Sequence, residues 1–148
     1  MTDVKEQLSR ARRTQIRIDQ RIAEIKRLEE MRIYLSATDY SSVVVKHSAG
    51  RGSVEQLATD GKLDTLRRRL SADVERLAGE KLEAISIIGS LEDKRMQDVL
   101  WEYYIHAAVN WDTAARAAGY SRRQALRIHG QALQILREKM ALNVTGDT

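Results

Sequence analysis

NWDTAARAAGYSRRQALRIHGQALQIL, residues Asn110–Leu136, holds two short helical patterns joined by Gly119-Tyr120-Ser121, with arginines opening the second. Asn110 supplies an N-cap for a helix over Trp111–Ala118, in which Trp111, Ala114, Ala115 and Ala118 can turn inward. Gly119 provides the left-handed residue that ends this helix. Ser121, followed three residues later by Gln124, makes a capping box that starts the next one. A connection this short forces two helices to meet steeply, which is the geometry of a helix-turn-helix.

In the second helix Ala125, Ile128, Ala132 and Leu136 share a face at helical spacing, with Leu133 and Ile135 beside it, and this face is assigned to the core. The opposite side presents Arg123, Arg127, Gly130 and Gln134, flanked by Gln124, Leu126 and Gln131. In a DNA-binding helix-turn-helix this side enters the major groove. Arginine can pair bidentately with guanine and glutamine with adenine, while an arginine at the start of the helix can grip phosphate. The expected DNA-contacting residues are therefore Arg123 and Arg127 at or near the bases and Arg122 on the backbone. Ser121, Gln124 and Gln131 stand beside them, and Arg116 is a further cation of the unit.

Charge location agrees with this. The net charge is +4, and Asn110–Met140 accounts for all of it, since Arg116, Arg122, Arg123, Arg127, Arg137 and Lys139 face only Asp112 and Glu138 there. Basic and acidic residues cancel over the rest of the chain. A localised excess of this kind attracts a polyanion.

Composition narrows the class. The 148 residues include no proline and 5% aromatics, and Arg, Ala, Leu and Glu dominate, so an all-α protein is expected. No cysteine is present, which excludes disulfides, thiolate nucleophiles and cysteine-bound zinc. His47, His106 and His129 are scattered without carboxylates at metal-ligand spacing, and no nucleophile and base stand together. The expectation is no enzyme, no metal and no cofactor. The start of the chain is charged where a signal peptide would be apolar, and no run reaches membrane-spanning length, so a cytoplasmic protein with no membrane partner is expected.

Leu8, Ala11, Gln15, Ile18, Ile22 and Ile25 alternate by three and four, a heptad seam on a helix running from about Thr2 to Leu35. Ser36–Ser53 breaks the pattern with clustered serines and two glycines and reads as a flexible loop. Its glycines lack phosphate-loop spacing. Ser53 with Gln56 then caps a second long helix whose apolar positions include Val54, Leu57, Leu63, Leu66, Leu70, Val74, Leu77, Leu82, Ile85 and Ile88. Two such helices predict an antiparallel hairpin, a coiled-coil-like oligomerisation arm over residues 1–89. Gly89 ends the arm, and Ser90 caps a supporting helix over Leu91–His106, with Asp93 at the capping-box position. The helix-turn-helix domain spans residues 90–140, and 141–148 reads as a loose tail.

LEDKRMQDVLWEYYIHAAVNWDTAARAAGYSRRQALRIHGQAL, from Leu91, resembles the C-terminal half of small phage and prophage regulators of Gram-positive bacteria grouped around the ArpU and RinA late-gene activators. The matching features are Trp111 with Ala115, Gly119-Tyr120-Ser121, and Arg127 to Leu133 with His129, Ala132 and Leu133. IRIDQRIAEIKRLEEMR and Ser53-Val54-Glu55 resemble the family's helical arm. Ala114 and Ala118 depart from its pattern, standing where larger aliphatics are usual, so that Trp111, Tyr120 or arm residues must fill the space between the helices. The resemblance implies a sigma-factor region-4-like fold, double-stranded DNA as partner, transcriptional control of phage genes and contact with host RNA polymerase. The arm implies a homo-oligomer, with a dimer favoured. Two alternatives share these features: a phage small terminase subunit, which packages DNA, and a sigma-like module that docks on RNA polymerase instead of DNA.

Overall fold

In a computed structural model, which describes residues 3–41 and 49–146, the protein is all-α, with no strand among the described residues. The helices are α1 (Val4–Ser41), α2 (Ala49–Gly89), α3 (Lys94–Leu100), α4 (Trp111–Ala118) and α5 (Arg122–Gly146), and α3 runs directly into a π-helical turn, Trp101–Ile105. No helix of the described residues is long and apolar enough to cross a membrane.

Several boundaries differ from the expected ones. The arm helices extend into both flanks of the expected loop Ser36–Ser53, leaving residues 42–48, with Val43–Val45 and His47, outside the described residues. Ser53 lies within α2 and does not cap it. Ser90 does not cap α3 either. Its hydroxyl donates to the Ile87 carbonyl, and Asp93 is the N-cap, accepting from the Arg95 backbone N–H at 2.9 Å. The residues read as a loose tail continue α5 as far as Gly146, while 147–148 lie outside the described residues.

The chain forms two compact units, and their division is not the one expected between residues 89 and 90. One unit is Met1–Ile16 with Arg76–Thr148, and the other is Arg17–Glu75. In the first, the roots of α1 and α2 complete the core of the helix-turn-helix. Val4, Leu8, Ala11, Ala84 and Ile88 cluster with Leu91, Met96, Leu100, Tyr104, Ala132, Leu133 and Leu136. Leu8 and Leu100 are wholly buried. At the edge of this unit the Asp3 carboxylate accepts from Arg137 Nε at 3.1 Å and Nη2 at 3.2 Å, a bidentate ion pair that holds Asp3 below the usual carboxylate range.

In the second unit the two helices run antiparallel. Ile25 and Leu28 pack on Leu63, Leu66 and Leu70, flanked by ion pairs of Arg67 with Glu29 at 2.9 Å and Arg32 with Asp60 at 3.0 Å. Asp73 is buried, with Arg21 Nη1 2.8 Å away. A charge removed from water in this way is tolerated only when paired. Several positions expected on the apolar seams face solvent instead, among them Ile22, Val54, Leu57 and Val74 in this unit and Leu82 and Ile85 in the other. Their places on the inner faces are partly taken by polar residues with partners: Arg21 with Asp73 here, and in the first unit Thr14, whose hydroxyl donates to Glu80 at 2.7 Å.

Candidate nucleic-acid interface

The turn between α4 and α5 is fixed by hydrogen bonds that its own residues supply. Asn110 Oδ1 accepts from the Thr113 backbone N–H at 2.8 Å and caps α4. Gly119 has φ +87°, a left-handed conformation that costs an L-residue roughly 1–2 kcal/mol and glycine almost nothing. With the chain reversed there, the Tyr120 N–H reaches the Ala115 carbonyl at 2.8 Å. Ser121 and Gln124 then form the reciprocal box: the Gln124 N–H donates to Ser121 Oγ at 3.2 Å and the Ser121 N–H to Gln124 Oε1 at 3.1 Å.

Small alanines at the helix crossing leave a core that aromatics finish. Ala115 and Ala125 are buried with Val99, and Trp111, Ala118, Tyr120 and Ile128 pack around them. Trp111 and Tyr120 thus pack in the same small cluster as Ala118. The inward face of α5 is as expected, with Ala125, Ala132, Leu133 and Leu136 buried and Ile128 and Ile135 half-buried.

The outward face carries Arg122, Arg123, Gln124, Arg127, Gly130, Gln131 and Gln134, all exposed. The side chains of Arg123 and Arg127 make no hydrogen bond or ion pair within the described residues, and neither does that of Arg116 on α4. Several arginines elsewhere, such as Arg21, Arg32, Arg67 and Arg137, are each held by a carboxylate, whereas exposed Arg10, Arg69 and Arg76 are not. Arg122 lies 3.9 Å from Asp112, a loose and exposed pair. Ser121 and Gln124 are engaged with each other, which leaves the amide nitrogen of Gln124 as its remaining donor. Of the six basic residues counted over Asn110–Met140, Arg137 is tied to Asp3 and Lys139 Nζ donates to the Ser90 carbonyl. The cationic surface therefore narrows to Arg116, Arg122, Arg123 and Arg127.

A groove of about 340 Å³ runs along one flank of α5, where Gln124, Arg127 and Gln131 meet Tyr120, Asp93 and Arg95. It brings three of the expected site residues together, while Ser121, Arg122, Arg123 and Arg116 lie outside it. It also adds Arg95, which the sequence reading missed because it placed position 95 within a helix that began at Leu91. The Asp93 carboxylate accepts from the Arg95 side chain at 3.1 Å and is thereby held below the usual carboxylate range. Asp93 as an N-cap was the available signal, since the second residue of a helix sits beside its cap.

Behind the exposed face of α5, His129 and Tyr104 share a hydrogen bond of 2.7 Å between Nε2 and the phenol oxygen. Burial pushes the phenol above its ordinary range. Burial, with the nearby charges of Lys5 and Arg137, lowers the imidazole to about 4. His129 is therefore a neutral core histidine at pH 7. An unfolded imidazole takes up a proton near 6.5, so between that value and about 4 the unfolded state binds more protons and stability is lost as pH falls. Allowing for its partial exposure, the loss is on the order of 2 kcal/mol. Urea unfolding at pH 7 and pH 4.5 should resolve it, and His129→Phe should flatten the pH dependence across that interval. An unchanged slope in the variant would assign the acid sensitivity to other groups.

Among the described residues no three His, Asp or Glu side chains gather to hold a metal ion. No family model, no curated protein and no solved structure matches this chain.

Proposed function

We propose that the protein is a sequence-specific DNA-binding transcriptional regulator, with α5 as its recognition helix. The observation that carries this reading is the pair Arg123 and Arg127, exposed one turn apart on one face of a helix fixed by a capped turn and free of carboxylate partners. Arginines retained without an internal partner on a rigid element are suited to phosphate or guanine. Arg95, which lines a groove with Arg127, and the exposed Arg116 and Arg122 are assigned to the DNA backbone. The resemblance to the ArpU and RinA regulators narrows the reading to activation of phage late genes in a bacterial cytoplasm.

The reading includes a dimer. About four phosphate contacts per protomer give a log–log salt slope near −3.6, so a lone protomer binds weakly at physiological salt and two copies bind about twice as steeply. Exposed Ile33, Tyr34, Val54 and Leu57 on the arm are apolar surface that association through the arm would cover.

Selection of binding sites from random duplexes, followed by mobility shifts at two salt concentrations, tests the proposal. Enrichment of one sequence with two related half-sites, and a slope of about −7 for the dimer, are expected. Binding equal on all sequences at both salt concentrations would refute sequence-specific regulation.

A further inference from the structure

The second unit carries an open trench of about 490 Å³ along its helical hairpin. Leu28 and Leu66 of the hairpin core line it together with Ala58, Gly61 and Thr65 of α2. Thr65 Oγ1 donates to the Gly61 carbonyl at 3.0 Å, so the polar end of that side chain is satisfied within its own helix. Glu24, also in the lining, is held by Arg27.

The α2 side of the trench belongs to a longer pattern. Thr59, Leu63, Leu66 and Leu70 alternate by four and three residues, buried or half-buried, on the side of α2 that packs against α1. Val54, Ala58, Gly61 and Thr65 repeat that alternation roughly 140° around the helix, and the first three are exposed. A heptad seam is a surface that one helix presents to another, so a second seam calls for a second neighbour. Gly61 weakens the helix relative to alanine, yet a Cβ there would meet nothing within 4 Å beyond its own turn. The hairpin itself therefore has no need of the glycine, and what it permits is close approach of a helix from outside.

Charge selects that neighbour. The side chains of Glu55 and Lys62 lie one heptad apart on the same edge of the seam, exposed, with no hydrogen bond or ion pair within the described residues. When two copies of such a seam pack antiparallel about a two-fold axis, these edges face each other, and the glutamate of each copy meets the lysine of the other. The surface is complementary to itself. Arg68, at the next seam position, is paired with Asp64 at 3.1 Å and ends the pattern, and Arg69 stands beyond it.

We propose that a second copy of this chain docks on this seam, the two α2 helices packing antiparallel over Val54–Thr65, with Glu55 of each protomer on the partner's Lys62. This assigns a surface to the dimer proposed above and rests on that dimer, not on what α5 binds. Val54 and Leu57, 64% and 71% exposed, are the large apolar side chains it covers. The contact extends about 18 Å along each helix, at the small end of stable interfaces, so a Kd on the order of 10 μM is expected.

Sedimentation of the full chain from about 1 to 200 μM should show monomer passing to dimer. Glu55→Lys or Lys62→Glu alone places like charges opposite each other twice and should raise Kd about 10-fold, and the two combined should restore the unaltered value. Gly61→Gln should keep or raise helicity by circular dichroism and yet raise Kd by about 100-fold or more, because its side chain stands between the helices. A dimer whose Kd ignored Gly61→Gln or both single reversals, or that the combination failed to restore, would overturn this surface and leave the dimer itself standing. Monomer at every concentration would overturn both, and an assembly of more than two copies would overturn the two-fold packing. None of these measurements involves DNA, so recognition by α5 stands or falls separately.

Discussion

Arg123→Ala combined with Arg127→Ala is expected to lower affinity for the selected DNA site by about 10²–10⁴-fold, because each arginine contact to a base edge or phosphate is worth roughly 1–3 kcal/mol. Folding should be untouched. Both side chains are exposed and hold no partner within the described residues, and surface substitutions of that kind usually stay within about 0.5 kcal/mol. Separate single variants should divide the roles. Loss confined to the selected sequence marks a base contact, whereas uniform loss with a salt slope shallower by about one marks a phosphate contact. Arg69→Ala, an exposed arginine of the other unit, is the matched control and should leave binding unchanged. If the double variant bound the selected site as tightly as the unaltered protein, while unfolding normally, α5 would not be the reading helix.

What the sequence made legible here is what its residues encode locally. Asn110, Gly119 and the Ser121–Gln124 box each satisfy backbone groups within three or four residues of themselves, so their reading needed no knowledge of the rest of the chain. The two faces of α5 followed from the same local periodicity. The arm is less legible because apolar residues alone do not mark its inner face. Arg21 and Asp73, or Thr14 and Glu80, hold inner positions because each finds its partner on the other helix, a fact invisible until the helices are paired. Ile22 and Val74 are correspondingly displaced to the outside. At α3, Ser90 and Asp93 are both good caps in isolation. Leu91 is buried in the core, the Gln97 side chain donates to its carbonyl at 2.6 Å, and the helix begins after it. The π-helical turn has no sequence signature of its own, and it sets Tyr103 against Trp111 and Tyr104 against His129.

The division of the compact units leads to the second large effect: Leu8→Ala should destabilise the helix-turn-helix by about 2–5 kcal/mol, although position 8 is more than a hundred residues away in sequence. Leu8 is wholly buried, in one cluster with Ala84 and Ile88 of α2's root and with Leu100, Tyr104 and Ala132. Truncating it leaves a cavity in a cluster that cannot close around it without moving α5. Against a total stability of about 5–15 kcal/mol for a domain, this is a large fraction. Trp101 and Trp111 both lie in this unit, so urea unfolding followed by tryptophan fluorescence reads it directly, with exposed Arg10→Ala as a neutral comparison. By the same reasoning, a fragment starting at residue 90 lacks Val4, Leu8, Ala11, Ala84 and Ile88, and its apolar surface on α3 and α5 has nothing to cover it. That fragment should show no cooperative transition and no specific DNA binding. A fragment that folded and bound like the full chain would mean the arm's roots only rest against a self-sufficient domain, and Leu8→Ala would then shift the unfolding midpoint little.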